Sequence, residues 1–166
     1  MRIAQRILLS CVILLAAAHV LQAQSASEQA VVHHESSVKY VTTQGAPDCL
    51  TSFVERGDPV SGPATFLVRM AADCEVPWHW HTPNETMMVV SGGLSLHTKD
   101  GKPVAARHGD YIFLPAKHIH STKCIGAAPC EFFLSVDAAF DIHYVDKDGN
   151  EIPSADALKA ATPPKK

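Results

Sequence analysis

Short apolar runs with a period of two alternate with polar, turn-forming stretches along most of this chain. In residues 64–71, Phe66, Val68 and Met70 fall on one side of an extended chain, which is typical of a strand with one buried face. Comparable runs recur from residue 38 to residue 145. Besides a histidine-bearing strand described below, the pattern predicts strands over residues 38–43, 49–55, 64–71, 85–91, 94–98, 104–106, 111–114, 119–125, 131–136 and 140–145.

A helix is predicted at one place, over residues 155–161, where Ser154 precedes the run as a candidate N-cap. Elsewhere Gly, Pro, Asn and Asp separate the apolar runs, and Asp100-Gly101 is a strong hairpin signal. Many short strands joined by such turns predict an all-β fold, either an antiparallel sandwich or a small barrel. The 166 residues suffice for one such domain with one core.

The first 23 residues have the pattern of a secretory signal peptide. Arg2 and Arg6 precede an apolar run over residues 7–18, which is too short to span a bilayer, and Ala23 offers a small residue before a cleavage site. We therefore expect residues 1–23 to be removed near Ala23, and the mature protein to be secreted or periplasmic. The alternative is an uncleaved anchor or a buried strand.

The remaining chain divides by composition into three parts. Polar residues 24–37 predict a flexible lead, residues 38–150 hold the strand pattern of one domain, and residues 151–166 form a C-terminal tail. Loss of Arg2 and Arg6 leaves 12 basic against 17 acidic residues, a formal charge of −5. Nucleic acid and anionic membranes both require a basic face, so neither is expected as a partner after removal of the signal.

Four cysteines remain after the signal peptide: Cys49, Cys74, Cys124 and Cys130. An even number in an exported chain predicts disulfides, with three possible connectivities. Cys124 and Cys130 flank a turn-rich linker and can close it, which would leave Cys49 to pair with Cys74. A cysteine-based zinc site is disfavoured, because no pair has the two-to-four-residue spacing of such ligands.

Candidate chemistry is concentrated in one histidine pair, His79 and His81. The period of two in a strand places both on one face, and Pro83-Asn84 then favours a turn. If the chain folds back there as an antiparallel strand, Glu85 lies beside the two imidazoles. Two neutral imidazoles and a carboxylate are ligands for a borderline divalent cation. Two histidines on a strand are also compatible with ordinary core residues.

This stretch resembles the first motif of the cupin family, in the form His79-x-His81-x3-Glu85-x6-Gly92. The resemblance extends over residues 64–144. The chain is also similar to small secreted single-domain cupins with a His-Trp-His signature. It implies a double-stranded β-helix, that is, a jelly-roll barrel. One fold hosts many functions, so the resemblance carries no specific activity with it.

A second segment resembles the second cupin motif, in the form Gly109-x5-Pro115-x4-His120. The resemblance makes His120 the fourth metal ligand, after His79, His81 and Glu85. Two turn glycines of the family pattern are replaced here, by Asp73 and Lys117, and the terminal Asn is Cys124. These departures concern loop geometry rather than ligands.

A set of three imidazoles and one carboxylate suits one divalent transition metal, Fe(II), Mn(II), Ni(II), Cu(II) or Zn(II). Four protein ligands on a six-coordinate ion leave two positions for water, dioxygen or a chelating small molecule. We therefore expect a small-molecule, metal-dependent enzyme with dioxygenase-like or Lewis-acid chemistry. The alternatives are a barrel that binds or senses a metal or small ligand without turnover, and a structural domain.

Several residues near the motifs have no assigned role. His118 can be an acid–base group beside the metal or a rim residue in solvent. For His97, packing in the core is favoured over a position in the cavity. Either His143 or Tyr144 can line the barrel. Trp78 and Trp80 alternate with the ligands, which favours outward packing against a second subunit or sheet. That flank, together with the resemblance, predicts a possible homodimer.

Overall fold

A computed structural model describes residues 29–99 and 101–161, and its folded unit begins at His33. The predicted signal peptide with its cleavage site, Asp100 of the hairpin, residues 24–28 of the lead and residues 162–166 of the tail lie outside the described residues. Over the described part, no helix is long and apolar enough to cross a membrane.

Strands are the main secondary structure of the described chain, as the alternation predicts. A short 3-10 helix, Glu35–Ser37, precedes them, and one helix, α1, follows them. The strands are β1 Val41–Thr42, β2 Leu50–Gly57, β3 Ala64–Met70, β4 Glu75–Trp80, β5 Glu85–Ser91, β6 Gly93–Thr98, β7 Val104–Arg107, β8 Tyr111–Leu114, β9 His120–Cys124, β10 Cys130–Val136 and β11 His143–Tyr144, and α1 is Ser154–Ala161.

The predicted strands are present, and the first and last are much shorter than predicted. Only Val41 and Thr42 of the run 38–43 pair with β2, and only two residues of the run 140–145 pair with β4. An extended run forms a ladder only where a neighbouring strand lies beside it. The helix is also confirmed, but Ser154 lies inside its first turn, because the carbonyl of Pro153 accepts the N–H of Ala157 and begins the ladder.

Within the described residues, the strands form two antiparallel sheets. One has the order β1-β2-β3-β10-β5-β8 and the other the order β11-β4-β9-β6-β7. Their inward side chains form one core, in which Met70 of the first sheet and Leu94 of the second are fully buried. The predicted all-β jelly-roll fold is therefore confirmed.

Both expected disulfides are present, Cys49–Cys74 and Cys124–Cys130. Each joins a strand end of one sheet to a strand end of the other, at the same end of the sandwich, since Cys130 pairs with Met70, and the N–H of Cys124 bonds the carbonyl of Cys74. Glu85 lies at the other end of its strand, opposite Val136. The bridges therefore close the end of the barrel away from the histidines.

Asp73 and Lys117 have left-handed backbone conformations, with φ of 60° and 62°. They occupy the two positions where the family pattern has glycine. Among the described residues they are the only non-glycine residues with positive φ. The replacements therefore keep the glycine-type turns, at a cost of about 1 kcal/mol each relative to glycine.

Candidate metal centre

Three histidine rings meet at one end of the barrel. His79 lies in β4, His81 follows the end of that strand, and His120 opens β9 directly opposite His79. Their ring centroids lie 4.2 Å apart for His79 and His120, 4.8 Å for His79 and His81, and 5.7 Å for His81 and His120. One nitrogen from each ring lies within 4.8 Å of the others, so the group can hold a metal ion. The period of two predicted the shared face of His79 and His81 correctly.

Glu85 joins this group from the opposite sheet. Its Oε1 lies 3.3 Å from Nε2 of His81, and its Oε2 lies 3.4 Å from Nε2 of His120. The expected hairpin between the His79 strand and the Glu85 strand is wrong, because β4 and β5 belong to different sheets. The chain crosses the barrel between them, so Glu85 faces the imidazoles across the cavity instead of along one sheet.

The crossing turn is held by the side chain of Asn84. Its Nδ2 donates to the carboxylate of Asp137 at 2.5 Å, and its Oδ1 accepts the N–H of Ala116 at 2.8 Å. The first bond ties the residue before Glu85 to the end of β10, and the second ties it to the segment that precedes His120. Glu85 and His120 therefore enter the site from two segments that are fixed to each other.

Hydrogen bonds to backbone carbonyls orient all three rings. Nδ1 of His79 donates to Pro77 O at 2.6 Å, Nδ1 of His120 donates to His118 O at 2.9 Å, and Nδ1 of His81 donates to Asp141 O. A carbonyl can only accept, so the proton of each neutral ring lies on Nδ1. Each Nε2 therefore presents a lone pair toward the shared space, as a metal ligand requires.

Burial determines the charges in the site. It lowers the pKa of His79 well below its usual value, helped by the neighbouring imidazoles, and it lowers the pKa of His81 and of His120 to about 4. It raises the pKa of Glu85 to about 8. The rings are therefore neutral at pH 7, and their contacts with Glu85 are not ion pairs. These shifts describe the protein without a cation.

The donor set fits a divalent cation. Glu85 Oε2 is the one buried side-chain oxygen or nitrogen among the described residues that has no hydrogen-bond partner. An unpaired carboxylate oxygen in an apolar interior is costly, and a cation held by the three Nε2 atoms would satisfy it. Imidazole nitrogens with a carboxylate suit borderline first-row metals.

A cavity of about 640 Å³ of empty space, part of it open to solvent, extends from the histidines into the barrel. Most of its wall is apolar. The polar residues on it besides the four site residues are Thr43, Gln44, Ser52 and Thr122. The remaining wall consists of Ala46, Leu50, Phe66, Val68, Met70, Val76, Met87, Phe132, Leu134, Phe140 and Ile142.

Tyr144, and not His143, faces inward on β11. The Tyr144 ring lies 5.9 Å from the His79 ring, and its hydroxyl donates to Gly45 O at 2.9 Å. His143 faces outward and stacks on Trp80, with 3.9 Å between centroids. Tyr144 thus packs against a candidate ligand and holds the loop that carries Gly45.

His118 and His97, whose roles the sequence left open, do not line the cavity. His118 is exposed on the rim, and its backbone carbonyl orients His120. His97 is half-buried on the outer side of its sheet, where it contacts Trp78 and bonds Ser95 at 3.0 Å. The acid–base alternative for His118 and the cavity alternative for His97 are not supported. The core packing favoured for His97 is also wrong, because its side chain lies on the outer side of the sheet.

One residue that supports the site was missed by the sequence reasoning. The carbonyl of Asp141 accepts Nδ1 of His81, and its carboxylate accepts the N–H of Thr82 at 2.7 Å and lies 3.2 Å from Nε2 of His143. A backbone carbonyl has no signature in a residue pattern. The sequence therefore could not identify Asp141, sixty positions from His81, as a residue that orients this ring.

Sequence comparison identifies a family for the central part of the chain. Residues 66–137 match the family model described as a Cupin domain. The match includes all four candidate ligands and the strands that carry them. A comparison with curated proteins finds no match.

Solved structures with the same fold are distant in sequence. The polyketide cyclase RemF from Streptomyces resistomycificus is 19% identical, with 78% of this chain and 99% of that chain covered and a TM-score of 0.60. An RmlC-like cupin from Ralstonia eutropha is 20% identical, with 76% and 79% covered and a TM-score of 0.60. A structure of the DMSP lyases RdDddP and RnDddQII is 19% identical, with 72% of this chain and 62% of that chain covered and a TM-score of 0.52. At these identities the likeness concerns the fold alone.

Proposed function

Because residues 66–137 of this chain belong to the cupin domain family, we propose that the protein is an exported metal-binding cupin that acts on a small molecule. His79, His81, His120 and Glu85 would hold one divalent transition metal. The two disulfides support export, since such bonds persist in oxidising compartments.

One observation carries this proposal, the unpaired Oε2 of Glu85 beside the Nε2 atoms of His81 and His120. Such a carboxyl group destabilises a purely structural core, and a bound cation removes the cost. When bound, the metal would supply Lewis-acid activation or, for a redox-active ion, dioxygen chemistry. The carbonyls of Pro77, Asp141 and His118 hold the rings in the geometry this requires.

The cavity wall limits the class of molecule that fits. Phe66, Phe132 and Phe140 line it together with Met70 and Met87, and these side chains exclude water from an apolar body. The hydrogen-bonding groups of such a molecule would lie at the four site residues. We therefore propose a small, largely apolar substrate that carries one oxygen-rich chelating end.

Two reaction classes are compatible with these groups. The first is a dioxygenase-like reaction, which the two open positions on a four-ligand metal would allow and in which the apolar wall would keep water away from the reacting end of the substrate. The second is Lewis-acid chemistry without an external oxidant, and the solved structures of this fold include proteins named as a cyclase and as lyases. The same four residues serve either class.

A second candidate function is a barrel that binds or senses a ligand without turnover. The cavity wall carries no ionisable side chain other than the four site residues among the described residues. Proton transfer to or from a substrate usually needs such a group. The lack of a further ionisable group on the wall is what favours a binding function over a catalytic one.

The test uses protein exported to a periplasm and loaded with each candidate metal in turn. Catechols, diketones, thiols and flavonols are offered, while oxygen uptake and products are measured. Product with oxygen uptake supports the dioxygenase-like reaction, and product without it supports Lewis-acid chemistry. A ligand that raises the melting temperature without product supports the binding barrel. If no compound is turned over and no compound stabilises the protein, the proposed small-molecule function is contradicted.

A further inference from the structure

Thr122 carries a hydroxyl on the cavity wall that the fold itself does not use. It follows His120 by two positions on β9, so both side chains point to the same side of the sheet, and Thr122 is only 5% exposed. Its side chain lines the cavity, and among the described residues its hydroxyl has no hydrogen-bond partner. The hydroxyl is therefore available to a molecule that enters the barrel.

The surroundings of Thr122 are apolar. In the register of its sheet it lies between Val76 of β4 and Leu96 of β6. Phe132 and Leu134 of the other sheet line the same cavity. A valine would fill this position with nearly the same volume and no polar group. The hydroxyl, rather than the shape of the side chain, therefore distinguishes this position from an ordinary core position.

The other polar groups on the wall are bonded or exposed. Oγ1 of Thr43 and Oγ of Ser52 lie 2.7 Å apart and form a hydrogen bond with each other. Gln44 is exposed to solvent. Apart from the four site residues, Thr122 is therefore the polar residue of the described cavity wall that is both buried and unbonded.

Thr122 lies deeper in the barrel than the candidate metal ligands. The two residues from His120 to Thr122 advance the chain by about 7 Å. The direction leads toward Cys124, at the end of the barrel that the disulfides close. A molecule that chelates a metal at the histidines and extends into the cavity therefore passes the Thr122 hydroxyl.

We propose that Thr122 is a specificity-determining residue, whose hydroxyl bonds a second polar group of the substrate about 7 Å from its chelating end. This inference rests on the proposed function for the chelating end. A threonine hydroxyl both donates and accepts, so a hydroxyl or a carbonyl group fits. A charged group does not fit, because the described wall carries no ionisable side chain beyond the four site residues. The substrate class is therefore a chelating molecule with a second, uncharged polar group.

Selectivity for this group follows from the cost of an unpaired hydroxyl. A hydroxyl in an open cavity bonds water, and a ligand that displaces the water must replace that bond. An analogue with a methyl group at this place leaves the Thr122 hydroxyl unpaired against an apolar wall. Removing the hydroxyl from the protein should therefore remove the preference between the two ligands.

The test is calorimetric titration of the zinc-loaded, exported protein with two catechols. They carry a hydroxymethyl or an ethyl group at the same ring carbon, opposite one of the oxygens. Zinc is not redox-active, so binding is measured without oxidation of the catechol. The ratio of the two dissociation constants should favour the hydroxymethyl compound about tenfold more in wild type than in Thr122→Val. Thr122→Ser keeps the hydroxyl and should keep the wild-type ratio.

Two further variants locate the effect. Thr65→Val makes the same chemical change on the outer face of β3, where the Thr65 hydroxyl bonds that of Ser135 at 3.0 Å, and it should keep the wild-type ratio. Ser52→Ala removes the other buried hydroxyl of the wall. If Ser52→Ala abolishes the preference while Thr122→Val retains it, the inference is overturned in favour of Ser52.

A second titration separates this inference from the proposed function, because it uses chelator-treated protein with benzyl alcohol and ethylbenzene and needs no metal. A preference for the alcohol that Thr122→Val removes, together with no binding of the catechols to zinc-loaded protein, would support the Thr122 contact and contradict the chelating end. Binding of the catechols with a ratio that Thr122→Val leaves unchanged would overturn the inference and leave the proposed function standing. No binding in either titration would count against both.

Discussion

Glu85 and His120 face each other across the barrel, with 3.4 Å between the carboxylate Oε2 and the imidazole Nε2, although they open strands of different sheets. Nδ1 of His120 already donates to a carbonyl, so neither atom of this contact has a proton to share when Glu85 is ionised. Two acceptors held this close in an apolar interior require a cation or a proton between them. In the metal-free protein the raised pKa of Glu85 supplies that proton near neutral pH, and in the proposed metal centre the cation would take its place.

The stability of the metal-free protein should fall as pH rises from 6.5 to 8. Burial raises the pKa of Glu85 from 4.5 to about 8, so the folded state keeps a proton that the unfolded state has lost. Stability due to that proton is full below the unfolded pKa and is lost as pH rises toward the folded pKa. The fall is at most about 2 kcal/mol over this window.

Urea denaturation of chelator-treated protein at several pH values measures this slope. The histidines act in the opposite direction and at lower pH, since their depressed pKa values reduce stability as pH falls below 6.5. Glu85→Gln removes the titrating group and should give a flatter profile above pH 6.5. An equal slope in both proteins would show that Glu85 is not the group responsible.

Lys117→Gly should stabilise the protein by about 1 kcal/mol, because glycine adopts the left-handed conformation of this turn without a Cβ penalty. Lys117→Ala is the control, since it removes the side chain but keeps the Cβ. Thermal and urea unfolding of both variants measure the difference. Stabilisation by Ala as large as that by Gly would mean that the lysine side chain, rather than the backbone, is unfavourable.

The double substitution Cys49→Ser and Cys74→Ser should cost about 3 kcal/mol of stability, since the bridge closes a loop of 25 residues. Metal content should stay unchanged while the protein is folded, because the bridges close the opposite end of the barrel. Urea unfolding and elemental analysis of the same preparation measure both quantities. Loss of metal from a folded variant would show that the two ends are coupled.

Asp141→Ala should weaken metal binding about tenfold, a typical effect of losing a group that orients a ligand. The backbone carbonyl that accepts Nδ1 of His81 remains, but the carboxylate that fixes Thr82 beside it is lost. Competition with a chromogenic chelator measures the affinity. Asp148→Ala, on an exposed aspartate, is the control, and equal affinity in the two variants would argue against a positioning role for Asp141.

Much of the fold was predictable because local signals and tertiary structure agree. The strands Glu85–Ser91 and Tyr111–Leu114 begin and end where predicted, since Gly or Pro bounds each run. The shared face of His79 and His81 follows from strand geometry alone. By contrast, the lengths of β1 and β11 depend on which neighbour lies beside them, and the residue pattern does not contain that information.

The site and the two faces of the six-stranded sheet show where local reasoning ends. Which sheet Glu85 joins depends on the turn at Asn84, and that turn depends on Asp137 and Ala116, which are distant in sequence. Similarly, Met87 and Met88 are equally apolar neighbours, so the residue pattern does not determine which of the two side chains faces the core. Only the register with Phe133 and Tyr111 places Met88 on the outer face.

Elemental analysis of protein exported to a periplasm tests the central claim most directly. Wild type and His97→Ala, which alters a histidine outside the cavity, should each retain close to one divalent transition metal per chain. His120→Ala and Glu85→Gln should lose most of it, because each removes one of the four donors. Equal metal content in all four proteins, or no metal in wild type even after reconstitution, would contradict the account.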